Sequence, residues 1–180
     1  LRAVGRFNHP DSLQVLLKTC ATGNADEIQL AREVLTGLNG KKIDEALLKE
    51  TMSADNAVRL EAVKMMRVRR TLGGIPILVR IVYDDVHEIR YEALITLGIL
   101  GTQSELKMMV DSWRRGRWSE KERVAIGGSI VSVAKRSPSG SDRVAALHGA
   151  LKKSSSPDVQ MSIIRALNEI QDDASIAAYR

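Results

Sequence analysis

The sequence predicts an all-α protein in which about five helix pairs stack into an α-α superhelix, or α-solenoid. Three observations lead to this fold class: a recurring helical motif, caps and glycines at helix boundaries, and a low aromatic content. Hydrophobic residues make up 44% of the 180-residue chain and charged residues 27%, a composition typical of folded globular proteins. Aromatic residues make up only 3%, and thin layers of stacked helices need less aromatic bulk than one large core.

One motif recurs along the chain: a polar cap, a β-branched residue followed by arginine, and a small residue at helical spacing. Its clearest copies lie in residues 55–62 and 84–98. Arg59 and Arg90 are 31 positions apart, and Arg90 and Arg123 are 33 apart, which is the length expected of one helix–turn–helix repeat. Weaker copies begin at Asp26, Ser119 and Pro157.

Shorter amphipathic helices are predicted between these copies. We place them near residues 11–21, 43–52, 75–83, 103–114 and 141–152, with a last helix starting about residue 173. Residues 24–27 and 119–122 match capping boxes, and Pro157 suits the first position of a helix. No segment alternates apolar and polar residues for long, so we expect essentially no sheet.

The segment 84–98 resembles the second helix of a HEAT repeat, which carries an aspartate, then valine and arginine, then alanine, then leucine and glycine. The resemblance covers nearly the whole chain and is strongest over residues 55–101. It implies a single HEAT/armadillo-like domain over residues 1–180, whose second helices line a concave binding surface. The C-terminal part also resembles HEAT modules appended to large exported bacterial multidomain proteins.

Within this pattern Asp84 and Arg90 stand at the offset of the HEAT aspartate and arginine. We expect them to hydrogen-bond the turn within a repeat to the neighbouring repeat, and a role for Arg90 against a ligand stays open. Arg59 has Ser53 at that offset and lacks the matching acid, so we expect Arg59 to be exposed and to face a partner. The outward-pointing candidates on the second helices are Arg59, Lys64, Arg67, His87, Glu88 and Arg123.

Residues 113–118 hold two tryptophans and three arginines around a glycine. Tryptophan and arginine are enriched in interface hot spots, and arginines beside aromatic rings can also hold phosphates and stack bases. In a simpler interpretation the tryptophans close the core at a turn between helices, and the arginines stay in solvent. The candidates in this patch are Trp113, Arg114, Arg115, Arg117 and Trp118.

A second basic cluster joins Lys64, Arg67, Arg69 and Arg70 to Arg80 in the next predicted helix, with no acid between them. Arg69 and Arg70 fall at the end of a predicted helix, where cations interact favourably with the helix dipole. Similar bases near other helix ends would give one edge of the solenoid a diffuse positive charge. A solvated edge and a nucleic-acid site both fit this pattern.

Other features limit the classes of function. The net charge of +5 permits an acidic partner, and the single Cys20 excludes an internal disulfide and a thiolate metal cluster. His9, His87 and His148 lack metal-ligand spacing, and no nucleophile–base–acid set can be assembled, so we expect no catalytic residue, metal or cofactor. No apolar run is long enough for a membrane span.

The sequence therefore favours a non-catalytic scaffold that binds a protein or a neighbouring domain of the same polypeptide. Nucleic-acid binding is the first alternative, and a HEAT-like glycosylase or pigment-attaching lyase is the second. The chain opens at Leu1 without a methionine, and we interpret it as a segment of a longer polypeptide. One cysteine fits an exported or a cytoplasmic location equally well.

Overall fold

The computed structural model describes residues 9–137 and 141–170, and within these ranges the chain is helical without a strand. The α-helices are α1 (Pro10–Thr22), α2 (Ala25–Gly37), α3 (Lys41–Glu50), α4 (Asn56–Arg69), α5 (Ile75–Ile81), α6 (His87–Leu100), α7 (Gln103–Arg115), α8 (Glu120–Arg136), α9 (Ser141–Lys153) and α10 (Pro157–Ile170). One 3₁₀ turn, Leu72–Gly74, precedes α5. The all-α prediction is confirmed, and the helix predicted from about residue 173 lies outside the described residues.

Local side-chain caps position the helix starts. The capping boxes predicted at residues 24–27 and 119–122 are present, and residues 102–105 form a third that the sequence interpretation missed. The Asp55 carboxylate accepts hydrogen bonds from the backbone N–H groups of Ala57 and Val58 at the start of α4. At the other end of α4, Arg70 closes the helix with a left-handed φ of 52°.

The ten described α-helices follow one another as five successive pairs, in which α1, α3, α5, α7 and α9 are first helices and α2, α4, α6, α8 and α10 are second helices. The two helices of a pair pack together in α1–α2, α3–α4, α7–α8 and α9–α10. In the N-terminal part, α1 packs against α3 and α2 packs against α4, so first helices meet first helices and second helices meet second helices. The same pattern joins α7 to α9 and α8 to α10 in the C-terminal part. This nearest-neighbour packing is the arrangement of an α-solenoid.

The chain divides into two compact units, residues 1–93 and 94–180, with the boundary inside α6. The single-domain expectation stays a prediction. Aliphatic side chains dominate the core of each unit, as the low aromatic content predicts, and each fully buried one contributes about 1.5–3 kcal/mol. Fully buried examples are Leu13, Leu16, Leu35, Leu47 and Met66 in the first unit, and Met109, Ile126, Ile130, Ile163 and Leu167 in the second. Among the described helices, none is both long and apolar enough to cross a membrane.

Two glycines in the second unit allow close helix packing. A Cβ atom on Gly98 of α6 would lie 2.4 Å from the Cβ atom of Ser129 on α8. A Cβ atom on Gly127 would lie 3.2 Å from the indole of Trp113, whereas one on the adjacent Gly128 would meet open space. Close helix packing at this glycine pair therefore involves Gly127 alone.

Candidate interaction surface

Arg59 is held inside the repeat stack. Its Nε atom lies 3.1 Å from Oδ2 of Asp84, and the exposed fractions of the two side chains are 16% and 15%. Its Nη1 atom also donates to the carbonyl oxygen of Ser53 at 2.7 Å. The expectation that Arg59 is exposed is wrong, because the acid absent at Ser53 is supplied by the next helix pair, 25 residues further along the chain.

Asp84 and Arg90 organise the turn between α5 and α6. Arg90 Nη1 donates to the carbonyl oxygens of Asp84 at 2.6 Å and Asp85 at 2.9 Å. The Asp84 carboxylate accepts from the backbone N–H of Val86 at 2.9 Å and pairs with Arg59. Asp84 thus joins this turn to the preceding helix pair, while Arg90 fastens the turn itself.

The basic cluster on α4 is largely neutralised by acids on its own and neighbouring helices. Lys64 Nζ lies 2.7 Å from Glu61 Oε1, and Arg67 pairs with Glu92 of α6. Glu61 also pairs with Arg32 of α2 at 3.3 Å. Lys64 and Arg67 are therefore not free solvated cations, because their charges balance two buried glutamates. Their contact with a partner stays a prediction.

The carboxyl group of Glu92 has its pKa shifted by this packing. Burial raises the pKa of its carboxyl group above the ordinary glutamate value, and the charge of Glu61 raises it further. Arg67 and Lys64 act in the opposite direction by favouring the carboxylate. The raised pKa shows that neighbouring cations only partly offset the free-energy cost of removing this charge from water.

Two arginines at the ends of second helices cap the preceding second helix. Arg69 donates to the carbonyl oxygens of Leu35 and Leu38 at the end of α2, and it pairs with Asp44 at 2.7 Å. Arg136 Nη2 donates to the carbonyl oxygens of Gly98 at 2.8 Å and Gly101 at 3.1 Å, at the end of α6. These cations meet a helix dipole as expected, but the dipole belongs to the helix of the preceding pair.

The tryptophans in residues 113–118 belong to the core of the second unit. Trp113 is 2% exposed and donates from Nε1 to the carbonyl oxygen of Arg123 at 2.9 Å, which ties α7 to α8. Trp118 is 8% exposed and donates to the carbonyl oxygen of Ser112. Because both rings are packed, neither Trp113 nor Trp118 presents the open face that stacking on a base would need.

The other candidates from the sequence are dispersed. Arg114 lies 3.7 Å from Asp111 on its own helix, whereas Arg115 and Arg117 are exposed. His87 is half-buried and Glu88 is exposed at the start of α6. Among the described residues, no group of three or more histidine, cysteine, aspartate or glutamate side chains is placed to hold a metal ion.

A groove in the second unit brings together Arg123 and Trp118, both candidates from the sequence, with residues that the sequence interpretation missed. Its volume is about 420 Å³, and α8 and α10 contribute most of its lining. Arg123 and Arg165 both line it, together with the side chains of Val124 and Met161, which are 62% and 51% exposed. Large apolar side chains in solvent beside cations are the mixture found at protein-binding surfaces.

The cations of this groove contrast with those of α4. Nη1 of Arg123 is buried and has no hydrogen-bond partner among the described residues, and Arg165 makes no ion pair with any of them. A charged donor left without an acceptor costs about 1–3 kcal/mol or more. The groove also contains Glu120 and Asp158, which are exposed in the first turns of α8 and α10.

Val124, Met161 and Arg165 could have been found from the repeat register. Val124 follows Arg123, and Met161 follows Gln160, the residue at the arginine position of the last repeat. Val124 and Met161 therefore occupy equivalent positions of their repeats. An apolar residue at each of these positions indicates an apolar strip on the exposed side of α8 and α10. The motif copies at 119 and 157 are weak, which hid this equivalence.

Comparison with known proteins supports the fold. No protein-family model matches the chain, and no curated protein matches it. The crystal structure of an engineered protein matches with a TM-score of 0.52 and 21% identity, covering 89% of this chain and 80% of that one. A second engineered protein also gives a TM-score of 0.52, with 19% identity over 89% of this chain and 48% of that one.

A designed armadillo repeat protein gives a TM-score of 0.51 and 18% identity, covering 89% of this chain and 83% of that one. The helix pairs of this chain are thus arranged as in armadillo-like repeat proteins. At such low identities the likeness concerns the fold alone, and the assignment to HEAT repeats in particular stays a prediction.

Proposed function

We propose that this chain is a non-catalytic scaffold that binds another protein, or a neighbouring domain of the same polypeptide, through the exposed face of its second helices, which the HEAT resemblance predicts to be the concave surface. The observation that carries the proposal is the groove between α8 and α10. It combines exposed apolar side chains, Val124 and Met161, with Arg123 and Arg165, which make no ion pair within the part of the chain that the structure describes. A mixed apolar and cationic surface of this kind fits a protein segment better than it fits a small reactive substrate.

Nucleic-acid binding is less well supported by the charges. Lys64, Arg67 and Arg69 are used in ion pairs, so the densest basic cluster of the sequence has little charge left for a phosphate backbone. Trp113 and Trp118 are packed in the core and have no open ring face for stacking. The alternatives of a glycosylase or lyase find no titratable cluster in the groove beyond exposed surface acids.

Selection of random peptides displayed on phage against the 180-residue protein tests the scaffold proposal. Peptides that bind the protein should lose most of their affinity for a variant carrying Val124→Ser and Met161→Ser, because these side chains supply the exposed apolar area. Val68→Ser is the matched control, since Val68 is exposed outside the groove. Thermal melting followed by circular dichroism checks that each variant is folded.

Two outcomes contradict the proposal. In the first, no selected peptide distinguishes the groove variant from the control variant. In the second, the protein selects no peptide but binds a mixed-sequence oligonucleotide with a steep salt dependence. The second outcome would establish nucleic-acid binding as the function instead.

A further inference from the structure

The groove between α8 and α10 has the charge arrangement of a site for a carboxylate. We propose that it binds a peptide segment in which an acidic side chain lies beside aliphatic ones, with the carboxylate held by Arg123 and Arg165. This inference rests on the proposed scaffold function and names the chemistry of its partner. The aliphatic neighbours would contact Val124 and Met161.

Arg123 differs from the residues at the same position of other repeats. Arg59, Arg90 and Gln160 each donate a side-chain hydrogen bond to the carbonyl oxygen six residues earlier, at 2.6–2.7 Å. Arg123 makes no such bond within the described residues, and its buried Nη1 atom has no acceptor there. The donor that fastens a turn elsewhere is therefore left without an acceptor beside the groove.

Arg123 also lacks the acid that pairs with Arg59. Arg59 pairs with Asp84, which lies six residues before Arg90. The equivalent position six residues before Gln160 is Ser154, so this position of the next repeat supplies no carboxylate to Arg123. A carboxylate from a partner would supply the missing acceptor, and guanidinium groups bind carboxylates through paired, directional hydrogen bonds.

Two acids share the groove with the arginines. Glu120 is the first residue of α8, three positions before Arg123, and Asp158 is the second residue of α10, seven positions before Arg165. Arg165, two helical turns from Asp158, is therefore the arginine better placed to meet a carboxylate away from these acids. Their charge also opposes the continuous phosphate backbone of a nucleic acid, which favours an isolated peptide carboxylate.

The size of the groove agrees with such a segment. A volume of about 420 Å³ lies in the lower part of the range of ligand sites in proteins, which is roughly 300–1,000 Å³. It can hold a few side chains of an extended peptide but not a folded domain. The partner would therefore present this segment on a loop, a terminus or a disordered region.

Three pools of fluorescein-labelled peptides test the inference. The pools have the same mixture of leucine, isoleucine and valine on both sides of a fixed central glutamate, glutamine or lysine. In anisotropy titrations of the 180-residue protein, the glutamate pool should bind at least about tenfold more tightly than the glutamine pool, which corresponds to about 1.4 kcal/mol. Arg165→Gln and Arg123→Gln should each remove that difference, whereas Arg80→Gln, an exposed arginine outside the groove, should leave it unchanged.

The possible failures separate the inference from the function on which it rests. If the glutamate and glutamine pools bind equally and Val124→Ser with Met161→Ser weakens both, the carboxylate site is wrong and the scaffold stands. Tighter binding of the lysine pool than of the glutamate pool would likewise contradict the carboxylate site and leave the scaffold proposal standing. If no pool binds in a way that depends on Val124 and Met161, and selected peptides do not depend on them either, both proposals fail. Because Arg165 is exposed, its variant should fold even if Arg123→Gln does not.

Discussion

The second helices of the two units use the same arginine position differently. In the first unit Arg59 forms an ion pair with Asp84 of the next helix pair, and Lys64 and Arg67 form ion pairs with buried glutamates. In the second unit Arg123 makes no ion pair with an acid of the described residues, and Val124 beside it is exposed. The difference shows that one residue of a repeat can stabilise stacking or remain available for binding, depending on whether the following repeat supplies an acid.

The largest expected effect separates a buried structural cation from an exposed one. Arg69→Ala should lower the free energy of unfolding by about 3 kcal/mol, because it leaves two helix-terminal carbonyls and Asp44 without their donor. Urea unfolding measures the loss. Arg80→Ala, at an exposed arginine, should change stability by less than about 0.5 kcal/mol. Equal losses in the two variants would mean that the cap contributes nothing to stability.

The contrast between Arg59 and Arg123 can be measured directly. Asp84→Ala and Arg59→Ala should each lower the free energy of unfolding by about 2 kcal/mol. The double variant should show a coupling energy between the two side chains of about 1 kcal/mol or more. Arg123→Gln should cost less than about 0.5 kcal/mol, because its guanidinium has no acid to lose. Chemical unfolding of all four variants gives these values. If Arg123→Gln lowers the free energy of unfolding as much as Arg59→Ala does, the two units do not differ in how they use this arginine position.

The glycine pair in α8 gives an effect of opposite sign. Gly128→Ala should raise the free energy of unfolding by about 1 kcal/mol, because alanine favours the helix and its Cβ meets open space. Gly127→Ala should give no such gain, since its Cβ would press on the buried indole of Trp113. Melting temperatures of the two variants provide the test. A gain at both positions would show that Trp113 can shift freely.

The smallest effect concerns pH. Because burial raises the pKa of Glu92, the folded state favours its protonated form, and the resulting stability is fully present below the unfolded-state pKa. It is lost as pH rises through the folded-state pKa, which lies above the ordinary value of a glutamate. The unfolding free energy of the wild type minus that of Glu92→Gln should therefore fall as pH rises through this region. A difference that stays constant or increases would mean that Arg67 and Lys64 outweigh burial.

The features that local sequence determines were predicted correctly. The all-α class and the caps at residues 24–27 and 119–122 depend on contacts within a few residues, which a sequence displays directly. The burial of Trp113 was one of two interpretations, and only the hydrogen bond to Arg123 on the next helix distinguishes them.

The pairing of charges was beyond the sequence interpretation because each partner lies a repeat away. Arg59 and Asp84 are 25 residues apart, and the same separation divides Arg69 from Asp44. Comparing Arg59 only with Ser53 in its own repeat therefore gave the wrong exposure. The groove was not predicted from the sequence for a related reason. Val124 and Met161 lie in the two weaker motif copies and come together only because α8 packs on α10.

Because of the caps formed by Arg69 and Arg136, the two ends of the repeat array are not equivalent. Each arginine satisfies carbonyl groups of the preceding second helix, so that helix is complete only when its successor has folded onto it. Shortening the array from the C-terminal side would expose carbonyls in the helices that remain. Shortening it from the N-terminal side would only release an arginine, which water solvates readily. Tolerance to truncation and to the reordering of repeats should therefore differ between the two ends.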